Sequence, residues 1–382
     1  MIKYIIMDPR VSDIAFENSN LTFKVSNINV SLANSLRRII LSEIPTVVFR
    51  TAPHARNNSI ISINTTRLNN EIIKQRLACI PVHITDITFP IEDYIVECDK
   101  KNESETTQYV TTEDFVVRNV KTDTVLSAAE TRKMFPPDPI TGDFIDFVRI
   151  RPKLSKTLDG EHLKMSCTLS VSLGAEENGS YNVVSTCSYR STIDVVRRTD
   201  IWSGKAKEYK KGGKSAPEIE DIKNDWLLLE GKRITLPNSF TFIIESVGVF
   251  APMKIVEMAC SVMLNKVEKF AEDIQTKENM IVPSKTTMEN CYDIILEGED
   301  YTLGCALEYL LYASYYDTPT DSNKILTFCG FTKPHPHIDV STIRIAFKHN
   351  TDKGEILNYL GNVTTKALEI FNSLKKDFTA VA

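Results

Sequence analysis

Three short runs in this chain carry residue types that could do chemistry, and each implies a different one. His335-x-His337-x-Asp339 sets two imidazoles and a carboxylate at alternate positions. Such a set can hold zinc, and a zinc-activated water would make a stand-alone hydrolase. Against this, Val340 stands where a further histidine would be needed and only His349 lies downstream. Pro334 and Pro336 flank His335 as they would in a turn entering a strand. Gly212-Gly213-Lys214-Ser215 ends like a phosphate-binding loop, but Glu208 occupies the place of the earlier glycine such a loop requires. No apolar strand leads in, and Pro217 follows, so a solvated loop is the better reading. Its lysines, at 205, 207, 210, 211 and 214, would then be open to nucleic acid or to an acidic partner. The third run is Arg37-Arg38. Two adjacent guanidinium forks suit the carboxylates or backbone carbonyls of another protein, although a plain solvated helix face is the simpler account. No Ser/His/Asp or Cys/His set has a recognisable spacing, so no catalytic residue is assigned and no cofactor is expected.

The arginine pair needs an element to hold it. Residues 31–44 read as a helix: Ser31 is a candidate N-cap, and Leu32, Leu36, Ile39 and Ile40 form one apolar stripe. Pro45 stops it. Leu41 falls opposite Leu32, near Asn34 and Arg38, so this helix is expected to touch protein on more than one side.

Elsewhere, Leu163, Met165, Cys167, Leu169, Val171 and Leu173 alternate with mostly polar neighbours, the period of a half-buried strand. Tyr181, Val183, Cys187 and Tyr189 continue that parity beyond Asn178-Gly179, which predicts a hairpin. Residues 99–108 and 204–217 read as mobile loops. A strand near Phe240 precedes a long helix opened by Pro252, with Val256, Ala259, Met263, Val267 and Phe270 as its stripe. Residues 276–290 read as a linker. A strand, a helix over about 302–316, two strands and a helix over about 353–376 complete the chain. Leu303, Ala306, Leu307, Leu310 and Leu311 make the stripe of the first of these helices. Ile356, Leu360, Val363, Ala367, Ile370 and Leu374 recur along the last, close to a coiled-coil seam. Both ends of the chain thus carry a strand-flanked helix followed by a longer amphipathic one, as a fused pseudo-symmetric dimer would.

The 382 residues allow two or three domains with real cores. A net charge of −5 makes the whole molecule no obvious nucleic-acid binder and leaves local basic patches open. The eight cysteines contain no C-x-x-C pair, which argues against a zinc ribbon and for reduced thiols in an intracellular protein. Lys3, Asp8 and Arg10 around a short apolar run do not make a signal peptide, and no apolar stretch suffices to span a bilayer.

Leu32-Ala-Asn-Ser-Leu-Arg-Arg-Ile-Ile-Leu-Ser-Glu-Ile-Pro-Thr46 closely resembles a signature of the α-like RNA polymerase subunits, which include the archaeal D subunit and the third-largest eukaryotic subunit. Ile63-Asn-Thr-Thr66 through Gln75-Arg-Leu-Ala-Cys-Ile-Pro-Val82, and Phe240-Thr-Phe-Ile-Ile-Glu-Ser-Val-Gly-Val249, resemble two further family segments in the family's order. Tyr292-Asp-Ile-Ile-Leu-Glu-Gly-Glu-Asp-Tyr-Thr-Leu-Gly304 and Gly330-Phe-Thr-Lys-Pro-His-Pro-His337 are similar to the small partner of that subunit, the archaeal L or eleventh eukaryotic subunit. Finding both on one chain resembles an arrangement associated with large DNA viruses. Many family members carry a cysteine cluster for zinc or iron–sulfur, whereas Cys79, Cys98, Cys167 and Cys187 are too dispersed, so no metal is expected.

The resemblance implies an α+β fold. Residues 1–50 and 236–275 would form an α-like dimerisation domain, 51–235 a mainly-β insertion, 276–290 a linker and 291–382 a second small α+β dimerisation domain. It implies a non-catalytic assembly subunit of DNA-directed RNA polymerase. Asn34, Arg37 and Arg38 would dock the two large catalytic subunits. Leu32, Leu36, Ile39 and Ile40 would meet Leu303, Leu307, Leu310 and Leu311 across an internal dimer interface. Other polymerase subunits would be partners, with DNA and RNA met only indirectly and no membrane. The compartment would be host cytoplasm and virion for a viral protein, the nucleus otherwise. The alternatives are the zinc hydrolase on His335 and His337 and a generic α+β interaction scaffold.

Overall fold

A computed structural model describes residues 8–17, 20–153, 155, 159–176, 180–318 and 324–379. The chain opens with β1 (Arg10–Glu17), β2 (Asn20–Ser26) and α1 (Val30–Ser42). There follow β3 (Thr46–Phe49), β4 (Ser59–Asn64), α2 (Asn70–Ala78), β5 (Tyr94–Lys101), β6 (Gln108–Thr111), β7 (Val116–Asn119), β8 (Thr124–Val125), α3 (Ala128–Met134), β9 (Asp146–Ile150) and β10 (His162–Ser172). Next come β11 (Val184–Ile193), α4 (Val195–Lys211), α5 (Ala216–Leu228), β12 (Thr235–Ser246) and α6 (Pro252–Thr276). The last stretch holds β13 (Ile281–Pro283), β14 (Cys291–Glu297), α7 (Tyr301–Leu311), β15 (Leu326–Thr332), β16 (Val340–Phe347) and α8 (Lys353–Thr379). The fold is α+β, as expected.

Two compact units emerge, one formed by Met1–Arg38, Cys187–Ile244 and Cys260–Ala382, the other by Ile39–Thr186 and Glu245–Ala259. The first contains two four-stranded sheets, in the orders β1-β2-β12-β11 and β13-β14-β16-β15. Period-two burial builds both. Leu21, Phe23 and Val25 of β2 are buried, as are Ile294 and Leu296 of β14 and Ile343 and Ile345 of β16. Phe23 stacks on Phe242 of β12 with ring centroids 5.1 Å apart. On the other face of the β14–β16 pair, Arg344 donates to both carboxylate oxygens of its cross-strand neighbour Asp293, at 2.7 and 2.9 Å. This fork holds the Asp293 carboxyl below the usual carboxylate range. The apolar stripes foreseen on α7 and α8 are buried along their whole length. Gly304 lets α7 approach β15 closely, since a Cβ there would lie 2.0 Å from the Phe331 ring.

The second unit is built on a sheet in the order β3-β10-β5-β7-β8, with β4 also paired to β10 and β6 paired to β9. Phe49, Phe115, Phe135 and Phe147 form a ring cluster in its core, with centroids 5.4–6.2 Å apart. Arg76 of α2 donates from Nε to the Phe147 carbonyl at 2.6 Å and from Nη2 to the Asp146 carbonyl at 2.9 Å. Asn64 accepts from the Thr66 N–H at 3.0 Å and closes the turn after β4. In the Glu245-Ser-Val-Gly248 segment, the Gly248 N–H donates to Ser246 Oγ at 3.0 Å, with φ at +105°, where a side chain is disfavoured.

Several local expectations need correction. β10 and β11 do not form a hairpin: β10 pairs with β3, β4 and β5, while β11 lies beside β12. Alternation reports which side chains are buried, and says nothing of which strand lies alongside. The Asn178-Gly179 turn falls outside the described residues. The loop expected over 99–108 is confined to residues 102–107, because β5 runs to Lys101 and β6 starts at Gln108, and the fully buried Asn102 pins it by donating to the carbonyls of Thr106 and Ile150, at 2.8 and 3.1 Å. Residues 204–217 lie mostly in α4 and α5. Ser215 caps α5 reciprocally with Glu218, so the run that resembled a phosphate loop is a helix–helix turn. The 276–290 stretch contains β13, paired with β14. The 51–235 stretch holds α2–α5 as well as strands, and its part from Cys187 onward belongs to the first unit.

Candidate functional site

Asn29 caps α1, two residues ahead of the expected Ser31: its Oδ1 accepts from the Ser31 N–H at 2.8 Å. From this start the helix buries Leu32 and Leu36 completely, and Ile39 and Ile40 as well. Leu303, Leu307, Leu310 and Leu311 of α7 are each at most 1% exposed. The eight residues expected to form an apolar interface are therefore all core.

The polar groups of α1 behave differently from one another. Arg37 and Asn34 form a half-buried pair, with Arg37 Nε donating to Asn34 Oδ1 at 2.9 Å. Among the described residues the guanidinium makes no other hydrogen bond or ion pair, and its charge partly offsets the burial that pushes up the Cys187 thiol. Arg38, one position on, turns to the loop that starts α7. Its Nε donates to Thr302 Oγ1 at 3.0 Å and its Nη2 to the Asp300 carboxylate. Sequence spacing treated the two arginines as one docking pair, but the rotation of about 100° per residue separates their directions. Arg38 belongs to an internal junction.

Ser35 joins the same junction, its hydroxyl 2.5 Å from the Thr302 carbonyl and 2.9 Å from that of Ser31. Asp300 caps α7 by accepting from the Thr302 N–H at 2.8 Å. Burial pushes the Asp300 carboxyl up. The Thr302 N–H and hydroxyl, with the Arg38 guanidinium, outweigh that and hold it below its ordinary range. Beside this cluster Lys266 of α6 pairs with Glu299 at 2.9 Å, both side chains largely buried. Burial raises the Tyr309 phenol, partly offset by its hydrogen bond to Asn29. At the far end of α8, Phe378 meets Phe23 edge-on at 4.9 Å, and Asp377 accepts from the Val11 N–H at 3.3 Å. Residues at the start of α7 thus meet α1, and residues at the end of α8 meet β1 and β2.

Sequence reasoning missed Ser35, Asp300 and Thr302. Asp300 and Thr302 lie inside the 292–304 run that carried the second resemblance, and opposite charge on Arg38 and Asp300 was the available signal. His335 and His337 sit exposed in the β15–β16 connection, where the Ile338 N–H donates to the His335 carbonyl at 3.1 Å. Among the described residues no group of three or more His, Cys, Asp or Glu side chains is gathered as for a metal ion. No described helix is long and apolar enough to cross a membrane.

Residues 22–267 match the family model described as the RNA polymerase Rpb3/Rpb11 dimerisation domain. The chain is 23% identical over 275 residues to the DNA-directed RNA polymerase subunit Rpo3 of Pyrococcus furiosus, covering 68% of this chain and 94% of that one. It is 22% identical over 309 residues to the bovine DNA-directed RNA polymerases I and III subunit RPAC1, covering 69% and 84%. The Dictyostelium discoideum counterpart is 25% identical over 313 residues, covering 70% and 82%.

Proposed function

This chain belongs to the RNA polymerase Rpb3/Rpb11 dimerisation family, and on that premise we propose that it is a non-catalytic assembly subunit of a DNA-directed RNA polymerase, carrying both halves of a dimer in one chain. The observation that carries the reading is the pair of junctions within the chain, Ser35 and Arg38 with Asp300 and Thr302, and Phe23 with Phe378. Two sheet-and-helix halves held through helices are what a dimerisation module needs. Fusion gives each half a high effective concentration of the other, so pairing survives dilution. Catalysis and most template contacts would lie with the large subunits.

Because Arg38 serves the junction, the docking surface narrows to Asn34 and Arg37. Their side chains form a pre-ordered polar pair, and the guanidinium keeps donors to spare for a partner's carboxylates or carbonyls. The test is co-purification of tagged Arg37→Ala and Asn34→Ala/Arg37→Ala chains with the two large polymerase subunits, beside their melting curves. We expect an unchanged melt and a large drop in recovered large subunits, since arginines at an interface often dominate its energy. Wild-type recovery would move the docking site elsewhere. If even the wild-type chain retains no large subunit, the assembly reading itself fails.

A further inference from the structure

α1 and α7 repeat one another at a constant offset along the chain. Asn29 caps the first by accepting from the N–H two residues on, and Asp300 caps the second in the same way. Leu32, Leu36, Ile39 and Ile40 correspond to Leu303, Leu307, Leu310 and Leu311, and burial runs in the same order over residues 32–41 and 303–312. The cross-bonds are reciprocal too. Arg38 reaches the cap of α7, and Tyr309, its counterpart, hydrogen-bonds the Asn29 cap of α1. In this correspondence Arg37 of α1 answers to Glu308 of α7, and Leu41 to Tyr312. The same half-buried place on two equivalent helices thus carries opposite charges.

Glu308 belongs to an outward strip. Tyr301, Cys305, Glu308 and Tyr312 recur every three or four residues and none is buried. A π turn over Tyr312–Tyr316 stacks Tyr316 on Tyr312 with ring centroids 4.9 Å apart. Asp317 ends that turn, its N–H donating to the Tyr312 carbonyl at 2.8 Å. Burial raises the Tyr312 phenol, and the charges of Asp317, Tyr316 and Glu308 raise it further. Among the described residues neither the Glu308 nor the Asp317 carboxylate is in an ion pair or accepts a hydrogen bond. Burial pushes the Glu308 carboxyl up, and no cation offsets it. Of the basic groups nearby, Arg38 is bonded to Asp300 and Thr302. Lys324 and Lys348, beside the Ile325 main chain, are exposed and pair with neither acid.

We propose that this strip of α7 is a second docking face, which takes a lysine or arginine side chain of a partner polypeptide, where the Asn34–Arg37 face of α1 takes a carboxylate or carbonyl. The assignment rests on the assembly reading for its partners, one large subunit to each face. A cation there gains from the Glu308 carboxylate and from the rings of Tyr312 and Tyr316 together. A partner built for Arg37 would bring a carboxylate against Glu308. Opposite charges therefore penalise the wrong seating of two partners on two otherwise similar helices. The same carboxylates repel phosphates, which disfavours nucleic acid as the occupant.

The experiment uses the full tagged chain, with each large polymerase subunit offered alone and melting curves taken alongside. We expect Glu308→Lys to lower capture of one large subunit by about tenfold or more and to leave the other in place. Arg37→Ala should affect the other subunit instead. Glu308→Gln should lose part of the capture with an equal or higher melting temperature, since it removes a half-buried charge that has no internal partner. Wild-type capture of both subunits by Glu308→Lys would overturn the proposal. So would loss of the same subunit in the Glu308→Lys and Arg37→Ala chains, or a lowered melt in Glu308→Gln. If the wild-type chain captures neither subunit, the assembly reading fails by itself. The cation face is then decided by fluorescence anisotropy with a labelled peptide alternating Arg and Gly. Binding about tenfold weaker to Glu308→Gln and to Tyr312→Leu/Tyr316→Leu than to the wild type would keep it. Equal binding to all three would overturn it.

Discussion

Arg38→Ala tests whether the arginine pair of α1 is divided between two tasks. The substitution removes the Nε bond to Thr302 Oγ1, 3.0 Å long, and the ion pair to Asp300. Hydrogen bonds to charged groups in protected settings contribute about 1.5–3 kcal/mol. Here the two side chains are 33% and 37% exposed, so solvent screens the interaction and pulls it towards the roughly 0.2–1 kcal/mol of surface pairs. Asp300 also keeps its bond from the Thr302 N–H, at 2.8 Å, and is not left bare. An intermediate cost of about 1–2 kcal/mol follows. At about 2–4 °C per kcal/mol, the melting temperature should fall by about 2–8 °C. Arg37→Ala, which breaks a local bond to Asn34 and no ion pair among the described residues, should cost about 0.5 kcal/mol or less. Urea denaturation followed by tryptophan fluorescence suits the measurement, because Trp202 and Trp226 both lie in the unit that contains the junction. A double-mutant cycle with Asp300→Asn should return a coupling of about 0.5–2 kcal/mol. Equal shifts for Arg37→Ala and Arg38→Ala, or a coupling of zero, would refute the division of labour.

Leu36→Asp and Leu307→Asp each place a charge at a site at most 1% exposed, and should cost about 3 kcal/mol or more, seen as aggregation or loss of a cooperative melt; normal solubility and an unchanged melt would remove both residues from the core. Gly304→Ala forces a Cβ to within 2.0 Å of the Phe331 ring. It should destabilise by about 1–3 kcal/mol and be partly rescued by Phe331→Leu, which a melting series over the two single variants and the double would reveal. Asp300 and Asp293 both have carboxyls held below their unfolded range, so their contribution is present above the unfolded value of about 3.9 and is lost as pH falls through the lower folded value. Stability should therefore decline from about pH 4 downward, and Asp300→Asn should flatten that decline; an identical acid profile in the variant would disprove the assignment.

The sequence by itself determined the elements whose signal is local. Apolar spacing on α1, α6, α7 and α8 named the buried residues of those helices, because a side chain's face is set by position along the chain. Pro45 and Pro252 marked boundaries for the same reason. Three motif resemblances in family order pointed to the α-like subunits, and residues 22–267 match that family. What only the tertiary structure decided depends on partners distant in the chain. The apolar spacing read across β10 and β11 suggested one hairpin, but the two join different sheets, since pairing is chosen by the whole set of strands competing for each edge. Asn102 is a loop residue whose complete burial depends on the Ile150 carbonyl, an acceptor 48 positions away. Lysine and glycine content made 204–217 resemble a loop, yet packing of Trp202 on Trp226 stabilises the helices despite weak local signals. Arg37 and Arg38 are identical in type and adjacent in sequence. Only the arrival of Asp300 and Thr302 beside one of them, 262 and 264 residues further along, gives the two arginines different work.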